Sequence, residues 1–323
     1  MKYFLGIDVG SSKTHALIAD ETGTCVGFGK AGGGNHQGAG YDRLANVLLE
    51  AFQGAGRSSG VARDQIAGAG FGVAGYDFPS DRKGHLRAIG TLGLSCPVEL
   101  VNDGANGLIS GTSQGVGVNV SAGSSNNCRG RGRNGQEGRI VGNGPKFGEY
   151  GGALEIVLRA LQMVNYAWIK RRGPTVLTQV LLEATGAKDE LDLMEGLSNN
   201  YYHLFPYMAV EVIDAARAGD SAALEIMQWA GEELGWLAIA VARQIEMDNE
   251  EIEIVQSGSL FEAGDLIMQP MREIVMKHLP KARLIRLDGP PAVGPLMLGM
   301  QMAGIDPYPI RQRLIDSAKE LVK

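Results

Sequence analysis

The chain has 323 residues, of which 44% are hydrophobic and 20% are charged, and its net charge is −6. The length suits two globular domains, and the negative charge argues against nucleic acid as the main partner. No apolar run reaches the roughly 18 residues of a membrane span, and the first residues lack the pattern of a signal peptide, so we expect a cytoplasmic protein that does not bind a membrane. The three cysteines (Cys25, Cys96 and Cys128) are too widely spaced for a disulfide framework, a zinc site or a metal cluster.

Short apolar runs and longer amphipathic segments alternate through the first 114 residues. Three strands are predicted first, at 3–9, 14–19 and 25–29. They are followed by a helix at 41–52, a strand at 66–74, a helix at 81–92, a strand at 98–101 and a helix at 105–111. The predicted order is βββαβαβα.

The second half repeats this order. Strands are predicted at 116–120, 128–130 and 138–141, then a helix at 150–163, a strand at 252–256, a helix at 262–278, a strand at 282–287 and a helix at 292–303. A mostly helical insertion at about 165–247 interrupts the repeat, and an amphipathic helix at 309–323 is expected to pack back on the first domain. We predict an α/β protein with domains at 1–114 and 115–308 that face each other across a cleft, where ligands usually bind.

The opening stretch YFLGIDVGSSKTHALIAD predicts two strands joined by a tight polar turn. Small residues from Gly10 to Lys13 let backbone N–H groups and hydroxyls approach an anion. Asp8, at the end of the first strand, is placed to reach a metal-bound phosphate chain. A plain β-hairpin with a solvated Asp8 explains the same residues by turn chemistry. The stretch is not a Walker A loop, because Ser12 stands where that pattern requires glycine.

Two further features indicate phosphoryl transfer. The turn at 122–127 again consists of small residues, so two turns, one from each half, can grip a triphosphate from opposite sides. Asp103 lies between a predicted strand and a predicted helix, at the sheet edge where α/β proteins bind ligands, and it suits the base that phosphoryl transfer to a hydroxyl requires. The alternative for Asp103 is a helix N-cap.

Eight segments, taken in order, resemble the BadF/BadG/BcrA/BcrD-type ATPase family and its N-acetylglucosamine kinase-like branch, within the sugar kinase, Hsp70 and actin superfamily. The segments are GIDVGSSKT (6–14), GNH (34–36), GVAGYD (72–77), VNDGANG (101–107), SAGSSNNCRG (121–130), GEYGGA (148–153), QSGSLF (256–261) and PAVGPLMLG (291–299). The resemblance implies two RNase H-like (actin-like ATPase) domains and a homodimer. It also implies an ATP- and Mg²⁺-dependent kinase that phosphorylates a hydroxyl of an amino sugar, such as N-acetylglucosamine, a related N-acetylhexosamine or glucosamine.

The same resemblance implies roles for individual residues. Asp103 would be the general base, and Asp8 would reach Mg²⁺ through water. Binding of ATP and its phosphates is implied for Gly10, Ser11, Ser12, Lys13, Thr14, Gly123, Ser124, Ser125, Gly258 and Ser259. Binding of the sugar is implied for Asn35, Gly75, Asn127, Glu149 and Ala153.

Two motifs depart from the family pattern. The second turn reads Gly-Ser-Ser-Asn at 123–126 instead of Gly-Thr-Gly-Ser, and the segment at 148–152 reads Gly-Glu-Tyr-Gly-Gly instead of Gly-Asp-Glu-Gly-Ser. The longer side chain of Glu149 predicts a different sugar or a different tilt of the same one.

Two other functions agree with parts of the sequence. The first is an ATPase that couples hydrolysis to conformational change, like the family's dehydratase activators. The scattered cysteines disfavour it, because those activators hold an iron–sulfur cluster through paired cysteines. The second is a non-catalytic sugar or nucleotide sensor, which an intact Asp103 disfavours.

Overall fold

The computed structural model describes residues 1–322, which form two five-stranded sheets and eleven α-helices. Lys323, the last residue of the predicted C-terminal helix, lies outside the described residues. Within residues 1–322, no helix combines the length and the apolar character that crossing a bilayer requires.

The elements follow the predicted alternation. The strands are β1 (Tyr3–Val9), β2 (Lys13–Asp20), β3 (Cys25–Gly32), β4 (Ile66–Val73), β5 (Val98–Asn102), β6 (Gly117–Ala122), β7 (Asn126–Arg131), β8 (Glu137–Arg139), β9 (Ile252–Ser257) and β10 (Ala282–Arg286). The helices are α1 (His36–Ser59), α2 (Arg82–Gly90), α3 (Gly104–Gly111), α4 (Ala153–Trp168), α5 (Leu177–Thr185), α6 (Glu190–Ser198), α7 (Ala209–Arg217), α8 (Ser221–Gln244), α9 (Asp265–His278), α10 (Val293–Met302) and α11 (Arg311–Leu321).

The two sheets have the same topology. The strand order is β3-β2-β1-β4-β5 in the first sheet and β8-β7-β6-β9-β10 in the second. In each sheet the first three strands in the chain pair antiparallel, and the last two run parallel to the first. This duplicated arrangement confirms the predicted α/β fold of two RNase H-like units with a helical insertion in the second.

Both faces of the first sheet are covered. Leu5 and Ile7 of β1 join a core with helices α1 and α2, whereas Phe4 joins a separate core with α10 and α11. Successive side chains of a strand point to opposite faces, so an apolar run such as β1 is stable only where both faces are buried. The sheet therefore lies between two helical layers.

Glycines on β1 and β4 allow α10 to approach the sheet closely. A methyl group on Gly6 would lie 2.2 Å from the backbone nitrogen of Leu296, and one on Gly70 would lie 2.0 Å from the carbonyl oxygen of Pro295. Neither position has room for a side chain. The dense glycine in this half therefore serves helix–sheet packing as well as turns.

Helices α3 and α10 cross between the two halves. Helix α3 follows β5 of the first sheet but packs against β6, β7 and β9 of the second, and α10 follows β10 but packs against β1 and β4. The two helices also pack on each other, and a methyl group on Gly294 would lie 2.3 Å from the carbonyl oxygen of Asn106. We retain 1–114 and 115–308 as proposed domains, joined by this crossed pair.

In the second half, the helix that covers the sheet differs from the predicted one. Helix α8 packs against β6, β7 and β8 with α9 beside it, in the way that α1 packs against β2 and β3. Helix α4, near the predicted helix at 150–163, lies against α5, α7 and α8. The inserted helices are therefore α4–α7, and α8 belongs to the repeated unit.

The C-terminal helix packs on the first sheet. The backbone N–H of Cys25 in β3 donates to the Ser317 hydroxyl (3.0 Å), and the Arg311 guanidinium donates to the carbonyl oxygens of Ser110 (2.8 Å) and Thr112 (3.1 Å). These contacts tie α11 to β3 and to the end of α3.

Candidate active site

The first turn joins β1 to β2. The backbone N–H of Gly10 donates to the carbonyl oxygen of Lys13 (2.9 Å), which closes the turn. The side chains of residues 11–13 are exposed, and among the described residues the N–H groups of Ser11 and Ser12 have no hydrogen-bond acceptor. Two adjacent free N–H groups in a turn of small residues form an anion-binding geometry.

Thr14 has a different role from the predicted nucleotide contact. Its side chain is buried, and its hydroxyl donates to the carbonyl oxygen of Gly32 (2.8 Å). The hydroxyl therefore joins β2 to β3 and does not provide a donor to a phosphate.

Asp8 lies at the end of β1, half-buried beside α3. The Asn106 side chain donates to Asp8 Oδ1 (2.7 Å). Burial, together with repulsion from Asp103, raises the pKa of Asp8 to about 7, although Asn106 and Lys13 oppose the shift. Asp8 and Asp103 thus interact electrostatically at the carboxyl ends of two strands of one sheet.

Asp103 lies between β5 and α3. Its Oδ1 accepts the backbone N–H of Gly104 (3.0 Å), so the carboxylate caps the helix with one oxygen, while Oδ2 has no hydrogen-bond partner among residues 1–322. Burial and then repulsion from Asp77 raise the pKa of Asp103 to about 6, against the opposing effect of Arg129. A carboxylate of this pKa is ionised at neutral pH and is a stronger base than an ordinary aspartate.

Asn35 joins the first turn to the start of α1. Its Oδ1 accepts the N–H of Gln37 (2.9 Å), and its Nδ2 donates to the Ser11 hydroxyl (3.4 Å). Gly75, with φ of 82°, packs directly beside it, and a methyl group there would lie 2.5 Å from Asn35 Oδ1. The cap starts a short helical turn at 36–39, which Gly40 (φ of 76° and ψ of 167°) interrupts, so the continuous part of α1 begins at the predicted residue 41.

A buried hydrogen-bond network links the two halves beside Asp103. The Asn102 carboxamide oxygen accepts from Gly104 N–H (2.9 Å), Asn127 Nδ2 (2.9 Å) and Arg129 Nε (3.1 Å), and Asn102 Nδ2 donates to Asp77 Oδ1 (3.0 Å). Arg129 and Asp77 also form an ion pair at 3.1 Å. Sequence reasoning assigned no role to Asn102, Asp77 or Arg129, although all three lie within the segments that resemble the family.

The second turn is hydrogen-bonded to the start of α4. Gly123 N–H donates to the carbonyl oxygen of Ser125 (2.9 Å), while the first two N–H groups of α4 donate to the carbonyl oxygens of Gly123 (2.9 Å) and Ser124 (3.3 Å). Within residues 1–322 the N–H groups of Ser124 and Ser125 are without acceptors, as in the first turn. Ala153, predicted to bind sugar, is instead buried and supports this turn through its N–H.

The turn after β9 lies against the second turn. A methyl group on Gly258, which has φ of 97°, would lie 2.1 Å from the carbonyl oxygen of Ala122, and one on Gly123 would lie 3.9 Å from Ser259 Oγ. Arg286 donates to the carbonyl oxygen of Gly258 (2.9 Å). The structure therefore brings together the two segments of the second half for which nucleotide binding was predicted.

Glu149, predicted to bind the sugar, has its carboxylate bonded within the fold. Its carboxylate is buried and accepts the backbone N–H groups of Val141 (2.6 Å), Gly142 (2.8 Å) and Asn143 (3.0 Å). The residue holds the segment after β8 in place, so the longer side chain is explained by this local contact.

Comparison with known proteins identifies the family. Residues 5–299 match the BadF/BadG/BcrA/BcrD ATPase family. The chain belongs to this family.

Known proteins match most of the length of the chain. An N-acetylmuramic acid/N-acetylglucosamine kinase of Clostridium acetobutylicum is 24% identical over 305 residues, covering 92% of this chain and 98% of the relative. An N-acetyl-D-glucosamine kinase of Dictyostelium discoideum is 26% identical over 313 residues, covering 92% and 97%. A solved structure from Chromobacterium violaceum, a candidate N-acetylglucosamine kinase, has a TM-score of 0.72 at 21% identity and covers 92% of this chain and 99% of its own. This last likeness shows a shared fold.

The side chains present fit a cation that arrives with the nucleotide of this ATPase family. Among the described residues no cluster of three or more His, Cys, Asp or Glu side chains is arranged to hold a metal. Asp8 has one carboxylate oxygen bonded to Asn106, and burial together with repulsion from Asp103 raises its pKa. A nearby cation would stabilise the ionised form of Asp8. Mg²⁺ commonly binds in this way, through one carboxylate, water and phosphate oxygens.

Proposed function

We propose that this protein is an ATP-dependent kinase that transfers the γ-phosphoryl group to a hydroxyl of an amino sugar, N-acetylglucosamine or a related N-acetylhexosamine or glucosamine. The observation that carries the proposal is Asp103, a carboxylate with one unbonded oxygen and a pKa raised to about 6, beside Asp8 at the sheet edge. The names of two relatives that each match 92% of the chain support the acceptor class.

The two turns are the proposed phosphate sites. Residues 10–13 and residues 123–125 each offer adjacent free N–H groups and serine hydroxyls. Asn127 follows the second turn and contacts Asn102, next to Asp103, so the second turn lies on the same side of the molecule as the base. Gly258 and Ser259 are proposed to lie against the adenosine. Asp8 would hold Mg²⁺ through water, and the cation would neutralise charge on the phosphates.

Asn35, Gly75 and Asn127 are the proposed acceptor contacts. Among residues 1–322 the buried Asn127 Oδ1 has no hydrogen-bond partner, while its Nδ2 is bonded to Asn102. An unpaired buried carbonyl oxygen is costly, and a sugar hydroxyl that donates to it removes that cost. Gly75 leaves Asn35 accessible, since any larger residue would occupy the space beside its carboxamide.

In the proposed step, the acceptor hydroxyl gives its proton to Asp103 Oδ2 as its oxygen bonds to the γ-phosphorus. The bond from that phosphorus to the β–γ bridging oxygen breaks, and ADP leaves with the electron pair. The protein contributes mainly orientation and charge stabilisation, as is general for phosphoryl transfer.

The test is ADP release from Mg-ATP, alone and with glucose, glucosamine, N-acetylglucosamine, N-acetylmannosamine, N-acetylgalactosamine and N-acetylmuramic acid. We expect one amino sugar to raise the rate by about a thousandfold, because the acceptor completes the site. Release that proceeds equally without any sugar would contradict the kinase and favour the conformational ATPase.

A further inference from the structure

The turn that carries Asp103 is held by contacts from both halves of the molecule. We call Asn102, Asp77, Asn127 and Arg129 the Asn102 cluster. Asn102 ends β5 of the first sheet, and Asp77 lies in the turn that follows β4 of the same sheet. Asn127 and Arg129 lie on β7 of the second sheet. Three bonds cross between the halves: Asn127 to Asn102, Arg129 to Asn102, and Arg129 to Asp77. A rotation that moves β7 away from the end of β5 must strain or break them.

The geometry of Asp103 depends directly on Asn102. The Asn102 oxygen accepts three N–H groups, and one of them is the backbone N–H of Gly104 (2.9 Å). Asp103 lies between these two residues in the chain, so this bond closes a tight turn around it. The oxygen is held in place by Asn127 and Arg129, and a change in its position would change the turn.

Arg129 makes two bonds with different nitrogen atoms. Nε donates to Asn102 (3.1 Å), Nη2 donates to Asp77 (3.1 Å), and the Arg129 and Asp77 side chains are only 11% and 13% exposed. The Arg129 stem also packs on the turn, since a methyl group on Gly104 would lie 2.9 Å from its Cγ. A planar guanidinium supplies two such bonds at once, whereas a lysine ammonium lacks the rigid fork that reaches both acceptors.

We infer that Arg129 is a positioning residue for Asp103, one that aligns the proposed base only when β7 of the second half lies against the end of β5. Closure of the two halves on ATP and acceptor is thereby coupled to the orientation of Asp103. The inference rests on the proposed function, because it gives Arg129 its effect through the base. It accounts for a buried arginine whose guanidinium is bonded both to Asn102 and to Asp77.

The test compares Arg129→Gln and Arg129→Lys with Arg133→Gln. The control removes an ion pair of equal length, Arg133 to Glu250 at 3.1 Å, that is about half exposed and shares no residue with the Asn102 cluster. We expect both Arg129 variants to lower kcat about 100-fold, the effect of roughly 1 Å of misplacement, while the Kd for ATP changes less than twofold. The control should keep the wild-type kcat.

Two kinetic results would overturn the inference. If Arg129→Lys restored the wild-type kcat, a positive charge alone would suffice. If Arg129→Gln lost kcat, ATP affinity and thermal stability together, the residue would have a general structural role.

Amide hydrogen exchange tests the positioning role of Arg129 without an activity measurement. In wild-type protein bound to a non-hydrolysable ATP analogue, amides in residues 102–111 should exchange slowly, and Arg129→Gln should speed their exchange at least tenfold. Unchanged exchange would overturn the positioning role even if the wild-type protein shows no acceptor-dependent ADP release. The absence of acceptor-dependent ADP release in the wild-type protein, by itself, contradicts the proposed function and not the positioning role.

Discussion

Replacing Asp103 with asparagine separates the chemistry of this carboxylate from its place in the fold. Asp103→Asn keeps an oxygen that accepts the N–H of Gly104, so the start of α3 remains capped. It removes the only group that we propose to take the acceptor proton. General base catalysis contributes about 10²–10⁴-fold, so we expect kcat to fall by about that factor with little change in the Kd for ATP.

The same substitution should stabilise the protein, by an amount that follows from the pKa. The carboxyl pKa rises from 3.8 to about 6 on folding, so the folded protein binds this proton more tightly than the unfolded chain does. Stability is therefore lost as the pH rises from about 4 to about 6, and the loss is complete above that range. About two pKa units correspond to at most about 3 kcal/mol. The neutral asparagine avoids this loss, so the melting temperature at pH 8 should rise by several degrees.

The assay is thermal unfolding of both proteins at pH 5 and pH 8, together with ADP release and ATP calorimetry at pH 8. The stability gain should be about half as large at pH 5, because less of the folded wild-type carboxyl is ionised there. Wild-type turnover in the variant would refute Asp103 as the base. An equal or negative stability change at both pH values would refute the account of its buried charge.

Three further outcomes are expected. First, kcat of the wild-type protein should fall as the pH drops below about 6, because only the ionised Asp103 accepts a proton; a rate that stays constant down to pH 5 would contradict this. Second, Glu149→Gln should lower the free energy of unfolding by about 1–3 kcal/mol, since one carboxylate oxygen is replaced by an NH₂ donor that faces backbone N–H groups. The variant should show the same preference as the wild-type protein in the panel of sugars. A changed sugar preference at constant stability would return Glu149 to the sugar site. Third, Gly33→Ala should weaken ATP binding, measured by calorimetry, at least tenfold, because its methyl group would lie 2.0 Å from the carbonyl oxygen of Ser11 and displace the first turn. The control is Gly173→Ala, whose methyl group would enter open space, and this variant should bind ATP as the wild-type protein does.

The candidate site was predictable where chemistry follows from local sequence. Asp8 and Asp103 could be placed at the carboxyl ends of strands by apolar runs that stop at a carboxylate, and both turns were visible as clusters of small residues. The structure agrees with those placements. It differs at Thr14 and Glu149, whose polar atoms are bonded within the fold. No sequence pattern indicates where a side chain finds its partner when that partner is a backbone group of another segment.

The linear sequence by itself determined the duplicated βββαβαβα order, because strand and helix periodicities depend only on neighbouring residues. Only the tertiary structure decided that α3 packs on the second sheet and α10 on the first, and that α8 rather than an earlier helix covers the second sheet. It also decided that Arg129 of the second half bonds to Asn102 of the first. Helices α3 and α10 are buried on nearly all sides, so no one-sided apolar pattern indicates which sheet they cover. Their partners are selected by the shape and glycine content of the surfaces that meet. The proposed base is thus encoded locally, whereas its alignment depends on contacts between residues that are distant in the chain.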